Sequence, residues 1–320
     1  MDNVDDTFRK PNNSSIVSQE TLKRADAHCY GALSEWRFRH ATFLATNPQE
    51  KKFLNIAIEQ LFESYEQGNV GALNSLDKLA RCKQSRRCCQ ILCPVCRSAR
   101  QMEAAEQIVS EFADVSESEI KFMTLLISVE KDAAALPSRM EDTRKRLRNA
   151  LNNNKVRLGA DEKPFNMVGA FECDLKNLAT QADASLRSQE LVKGLGLDPQ
   201  HKPSQYLLHL HAVVGPLDKP RLKALKAIIE KALGGLLPYQ LHFKSLHTDT
   251  EKSVNLATLG RYMYKARLQF SDNIFDDNWM QKKAKYHTPY KGKELVDYLN
   301  VIDEMRNFKG LQFECRLKTK

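Results

Sequence analysis

YLLHLHAVV, running from Tyr206 to Val214, is the stretch on which the reading of the fold turns. It is an apolar run of strand length, rich in residues that favour a buried strand. Side chains of a strand alternate between its faces, so His209 and His211 leave by one face while Leu210 leaves by the other. That is how a strand offers two imidazole nitrogens to one metal ion. With 8 histidines in 320 residues, a chance His-x-His arises roughly 0.2 times. Two unrelated histidines in a core or on a surface therefore stay open as a reading until a third ligand is found.

A third ligand is expected from a neighbouring strand. NMVGAFECDL, Asn166 to Leu175, reads as one, with Glu172 in the middle of its apolar run. A lone carboxylate in a central strand is costly unless it is paired or binds a metal. Asp174, two residues on and on the same face, competes for the role. Two imidazoles and one carboxylate, with positions left for water and phosphate, suit Mg²⁺ or Mn²⁺ acting as a Lewis acid on a phosphodiester. The ligand set alone also accommodates Zn²⁺.

Further strands read outward from this pair: FMTLLISVE (Phe122 to Glu130), YQLHFKSL (Tyr239 to Leu246) and a last one in LQFECRL near the C-terminus. Helices read between them. Arg139 to Asn154 carries Met140, Leu147 and Leu151, and Asp218 is placed to cap a helix bearing Leu222, Leu225, Ile229 and Leu233, with Gly234-Gly235 ending it. Asn177 to Gln205, broken by Gly194, Gly196, Pro199 and Pro203, reads as a long loop. No Gly-rich phosphate loop follows the first strand, which argues against a Rossmann or P-loop protein and for an α+β fold. Upstream, Phe53, Ile56, Ala57, Ile58 and Leu61 recur at helical spacing.

Leu256 to Leu268 has helix-favouring composition and contains Tyr262, Tyr264 and Lys265. A tyrosine has a pKa near 10, so as a nucleophile it needs a nearby positive charge or a metal-polarised phosphate. Lys265 falls three residues after Tyr262, on the same helix face. Tyr264 is turned about 200° away from Tyr262. For either tyrosine taken alone, a packing role is the plainer reading.

Between Arg81 and Arg100 the composition changes to RCKQSRRCCQILCPVCRSAR. Cys93-Pro94-Val95-Cys96 is the tight knuckle expected of zinc, and Cys82, Cys88 and Cys89 lie close by. Four thiolates leave a metal no open position, so such a site serves folding and not catalysis. Arg81, Lys83, Arg86, Arg87, Arg97 and Arg100 surround it and could clamp DNA phosphates; a solvated charged surface is the alternative. The net charge of +9 favours polyanionic partners. The segment near Trp279, Lys282, Lys283, Lys285 and Tyr286 has the aromatic and basic make-up to track a single strand. There is no apolar run of membrane-spanning length and no signal-peptide layout at the start, so the chain reads as cytoplasmic, where cysteines bind metal more readily than they pair.

Taken together, these residues resemble the HUH endonucleases, in which two histidines flanking a hydrophobic residue bind a divalent metal beside a nucleophilic tyrosine. More narrowly, the order of motifs is similar to that of the rolling-circle replication initiators of small bacterial plasmids: a Cys-rich segment ending in Cys-Pro-x-Cys, an FLTLT-like strand, the His-x-His strand and a Lys-Tyr-x-x-Lys helix. Here these are Cys88 to Cys96, FMTLL, HLH and Arg261-Tyr262-Met263-Tyr264-Lys265. The likeness spans residues 82 to 268. It implies an antiparallel HUH-type sheet flanked by helices, with Tyr262 and Lys265 catalytic and His209, His211 and Glu172 holding Mg²⁺ or Mn²⁺. It also implies structural Zn²⁺ on Cys82, Cys88, Cys93 and Cys96, with Cys89 spare.

The implied activity is nicking of one strand at a single-stranded or supercoiled DNA origin, leaving a 5′-phosphotyrosine and a 3′-OH primer, with host helicase and polymerase as partners and no membrane. Relatives often carry Glu or Tyr four residues before the nucleophile for termination, where this chain has Thr258. The expected organisation is a disordered 1–20, a helical region 21–80, a zinc segment 81–101, a nicking domain 118–270 and a helical extension 271–320. A single-strand transposase of the same superfamily and a non-catalytic, zinc-containing DNA-binding regulator are the alternatives.

Overall fold

The computed structural model describes residues 48–83, 87–176, 186–198, 200, 204–265, 269–271, 287–290, 292–305 and 310–317, with positions 33, 35, 36, 40, 44 and 46. The expectations for residues 1–20, for Arg86 and for the stretch from Trp279 to Tyr286 lie outside these.

The elements with described bounds begin with two helices, α1 (Pro48–Glu66) and α2 (Val70–Ala80), followed by α3 (Pro94–Glu111). Then come β1 (Lys121–Glu130), α4 (Leu136–Asn153), β2 (Phe165–Lys176), α5 (Leu186–Gly194) and β3 (Gln205–Gly215). The second half supplies α6 (Lys219–Leu233), β4 (Leu241–Ser245), α7 (Lys252–Met263), the short pair β5 (Gln269–Ser271) and β6 (His287–Pro289), α8 (Gly292–Glu304) and β7 (Gln312–Leu317). The fold is α+β: a five-stranded sheet in the order β4-β1-β3-β2-β7, antiparallel at every pairing, flanked by helices.

The central position of β3 explains its sequence. Every residue from Gln205 to Gly215 is buried, and a strand covered on both faces reads as a continuous apolar run instead of an alternation. On one face Phe171 and Phe313 lie under α4, whose Arg144 and Arg148 guanidinium groups sit 5.2 and 5.7 Å from the two ring centroids. Such stacking lets a charged helix pack on aromatic rings while its arginine stems cover apolar surface. The opposite face carries the histidines and is approached by α7.

Gly169 sets how closely the two central strands meet. It pairs with Ala212, and a Cβ there would stand 2.0 Å from the His211 carbonyl oxygen. Real atoms do not come that near, so a glycine keeps β2 against β3 and holds the register that puts Glu172 opposite His209. At the ends of α6 the caps fall where expected. The Asp218 carboxylate accepts from the Arg221 amide at 2.8 Å, and Gly234 adopts the left-handed conformation, φ 82°.

Three boundaries differ from expectation. The stretch read as a loop from Asn177 contains α5, because Val192 and, just past its end, Leu197 pack with Val129 and Leu207 in a small satellite core. Helix α7 stops at Met263 with Tyr264 as its cap, short of Leu268. The C-terminal segment is not a separate helical extension. Strand β7 closes the sheet beside β2, and Asp303 of α8 pairs with Lys78 of α2, so the helices and strands on either side of the central sheet share one continuous core, whose described residues run from Leu33 to Leu317. Among the described residues no helix is long and apolar enough to cross a membrane.

Candidate metal and tyrosine site

The register brings the predicted ligands together. Glu172 faces His209 across β2 and β3, and Thr124 of β1 faces His211 from the other side. Directly opposed residues of antiparallel strands share a face. The Nε2 atoms of His209 and His211 lie 3.1 and 3.2 Å from one oxygen of Glu172, so the two imidazoles and the carboxylate converge on one point. Ligands about 2.0–2.2 Å from a common ion stand roughly 3.0–3.5 Å apart, and the observed spacings fit. All three side chains are buried. Asp174 shares their face but lies outside this group, its carboxylate 3.9 Å from the Lys176 amine.

Burial also sets the protonation of the site. Loss of water pushes the His211 pKa down to about 4, against the opposing pull of its contact with Glu172. Its ring is neutral near pH 7, the form that ligates metal. Thr124 Oγ1 lies 3.0 Å from His211 Nδ1, which leaves Nε2 to face the carboxylate and a metal. Phe122 stacks on the His211 ring, 5.4 Å between centroids and 13° from parallel. Neither Thr124 nor Phe122 was singled out from the sequence. The signal was their alternation within FMTLL, which becomes meaningful only once the β1–β3 register is known.

Tyr262 stands at the edge of this triad. Its ring meets His211 edge-on at 5.3 Å and Phe122 at 5.9 Å, and the residue is 37% exposed. Lys265 lies beyond the end of α7, yet its amide donates to the Tyr262 carbonyl at 3.1 Å, a tight last turn that brings the two side chains together. Its amine sits 3.2 Å from the Tyr262 ring centroid and 3.9 Å from Glu172. A buried carboxylate, a cation and a half-open phenol thus lie side by side. Thr258, one turn before Tyr262, is exposed.

Tyr264 is of a different kind. It is buried, with its hydroxyl accepting from Arg100 at 3.0 Å, and burial pushes its phenol pKa up despite the nearby guanidinium.

The cysteine cluster assembles around the start of α3. Cys93 is the N-cap and Pro94 the first helical residue, where a missing amide hydrogen costs nothing. Cys96 follows in the first turn, Cys82 comes just after α2, and Cys88 enters from the loop. Sulfur separations are 3.5 Å for Cys82 to Cys96, 3.7 Å for Cys88 to Cys96 and 3.8 Å for Cys82 to Cys93. A tetrahedron with arms of about 2.3 Å has edges of about 3.8 Å, so the four sulfurs can hold a metal such as zinc. The four sulfurs act on one another in opposite directions: their mutual contacts pull the Cys82 thiol well below the ordinary range and push those of Cys88 and Cys93 well above it, so the case for a metal rests on the geometry of the cluster. Cys89 is exposed, with φ 56°, and takes no part.

The basic residues around the cluster divide. Arg81, Lys83 and Arg87 are exposed. Arg97 is buried and donates to the Ile91 carbonyl at 2.8 Å, so it braces the Cys-rich loop from inside and is not a surface clamp. Arg100 bonds both Tyr264 and, at 2.9 Å, Gln312. No protein-family model, curated protein or solved structure matches the chain, so its residues carry the functional reading by themselves.

Proposed function

We propose that this chain is a metal-dependent DNA-nicking enzyme of the HUH type, which starts rolling-circle replication by attack of Tyr262 on one strand of an origin. The observation that carries the reading is a half-exposed tyrosine set against a buried His-His-Glu triad with a lysine between them. A packing role for Tyr262 accounts for neither its exposure nor the convergence of three buried ligands beside it. Mg²⁺ or Mn²⁺ on His209, His211 and Glu172 would draw charge from a non-bridging phosphate oxygen. Zn²⁺ on Cys82, Cys88, Cys93 and Cys96 serves structure.

Tyr262 Oη bonds to phosphorus as the bond from phosphorus to the 3′ oxygen breaks. The phenol gives up its proton, and the leaving 3′ oxygen takes one up and departs as a 3′-OH. Lys265 sits against the ring and favours the phenolate over the phenol. The strand downstream stays joined through a 5′-phosphotyrosine, which conserves the phosphodiester for later rejoining. That is the advantage of a protein nucleophile over water. Arg81, Lys83 and Arg87 are exposed to meet the DNA backbone.

The test uses single-stranded oligonucleotides that tile the DNA flanking the gene, labelled at the 3′ end and incubated with Mn²⁺. A labelled adduct mapped to Tyr262 by peptide mass spectrometry is expected, together with its loss in Tyr262→Phe. Attachment at Tyr264, or full adduct yield from Tyr262→Phe, refutes the assignment. The position of the cleaved oligonucleotide separates replication from transposition: an origin hairpin fits the first, an element end the second.

A further inference from the structure

Helix α7 carries Tyr262 on one face and its attachment on the other. Gly260 and Tyr264 are four residues apart and share a face, while Tyr262, two residues from each, points to the opposite side. That second face lies on α3. A Cβ at Gly260 would stand 2.7 Å from the Ala105 Cα and 2.9 Å from the Ala104 carbonyl oxygen, so the two helices touch backbone to backbone.

Polar contacts pin both ends of the pair. Lys252, at the start of α7, donates to the carbonyls of Ala113 and Val115 just beyond α3. At the other end Arg100 donates to the Tyr264 hydroxyl at 3.0 Å, and Gln101 to the Tyr264 carbonyl at 3.4 Å. Arg100 also lies 4.7 Å from the Tyr264 ring centroid and reaches Gln312 of β7. Gln107 of α3 ties to Glu314 of the same strand at 2.7 Å. One guanidinium therefore joins the helix that leaves the Cys cluster, the cap of the tyrosine helix and the edge of the sheet.

We propose that Arg100 and Tyr264 are positioning residues for the nucleophile: through them helix α3, anchored at its start by Cys93 and Cys96, acts as the mount that aims Tyr262 at the His-His-Glu triad. The inference rests on the nicking reading for its kinetic consequence but on packing alone for its structural one. Tyr264 is neither a second nucleophile nor a DNA contact. Arg100, with an 18% exposed side chain, works inward instead of clamping phosphate. The triad is fixed by the sheet, whereas Tyr262 comes from a helix seated backbone to backbone on α3. That seating sets the distance of Tyr262 from the triad, and displacement of a reacting group by about 1 Å can cost roughly 100-fold in rate.

The experiment compares the full-length wild type with Tyr264→Phe, Arg100→Met and Arg100→Lys. Tyr264→Phe keeps the ring and removes one hydroxyl, so it folds. Single-turnover adduct formation should fall about 10- to 100-fold in Tyr264→Phe and Arg100→Met and recover in part in Arg100→Lys, whose amine can still reach the hydroxyl. The oligonucleotide Kd and its salt dependence should not change. Amide exchange across residues 252–263 should quicken in Tyr264→Phe and Arg100→Met while that of β2 and β3 stays as in wild type.

A weaker Kd with a shallower salt slope in Arg100→Met would make Arg100 a phosphate contact and overturn the proposal. So would wild-type exchange across α7 in both variants, or wild-type adduct rates. If the wild type forms no adduct on any DNA, the nicking reading fails on its own, and the exchange measurement still decides whether α3 holds α7.

Discussion

Thr124→Val tests whether the strand beside the histidines tunes the metal site. The two side chains are nearly isosteric, so the change removes one hydroxyl and little volume. What it removes is the 3.0 Å contact to His211 Nδ1, the bond that orients the ring and leaves Nε2 to face Glu172. A net hydrogen bond is worth about 1 kcal/mol, and a buried ring nitrogen left without its partner costs about 1–3 kcal/mol. Outer partners of metal-bound histidines typically contribute 10- to 100-fold in metal affinity or activity, or about 1.4–2.8 kcal/mol. The two figures agree, and both predict that Mn²⁺ binding weakens by about 10- to 100-fold. Calorimetric titration of Mn²⁺ into both proteins measures it, and a urea melt checks that the fold survives. The metal affinity should drop by more than the melt does, because Thr124 is only partly buried and Val suits a strand. An unchanged Mn²⁺ Kd would refute the claim that Thr124 orients His211.

Purified protein should hold about one zinc per chain, and Cys93→Ser should lose it and unfold at lower denaturant, as for other four-thiolate sites; elemental analysis without bound zinc overturns this. Gly169→Ala should destabilise by about 1–3 kcal/mol or more through overpacking, because the new Cβ meets the His211 carbonyl oxygen at 2.0 Å, a backbone atom that cannot swing aside. The denaturant midpoint reads the loss, and a wild-type midpoint would contradict the close approach of β2 and β3. Phe122→Ala should slow adduct formation while sparing the Mn²⁺ Kd less completely than Tyr262→Phe does, since its ring touches both His211 and Tyr262; an adduct rate equal to wild type would show that the ring is only packing.

The strands were legible because their chemistry is local. An apolar run of the right length declares a buried strand, period 2 places His209 and His211 on one face, and a carboxylate inside an apolar run needs a compensating partner, so Glu172 stood out without any tertiary knowledge. Their convergence was not legible. It depends on Glu172 facing His209 and Thr124 facing His211, and a shift of one residue would have moved every ligand to the other face. Helix α5 was hidden because glycines and prolines around it dominate the local signal, while the apolar contacts of Val192 and Leu197 are made with distant strands.

Tyr262 and Lys265 show a third case, in which two side chains meet for a reason other than the spacing that paired them. Three residues on a helix place Tyr262 and Lys265 on one face, but α7 ends at Met263 and Lys265 is not helical. The two meet because the chain closes with a short turn from the Lys265 amide to the Tyr262 carbonyl, and i to i+3 neighbours overlie each other in that tighter geometry too. The same ending explains why Tyr264, at the cap, can lay its hydroxyl on Arg100 while Tyr262 keeps its edge toward His211. A helix continued through Leu268, as composition suggested, would set Lys265 about 300° round from Tyr262, short of the full turn that three residues of the tighter geometry complete. The stop after Met263 is thus what parts the buried Tyr264, bonded to Arg100, from the half-exposed Tyr262 beside His211.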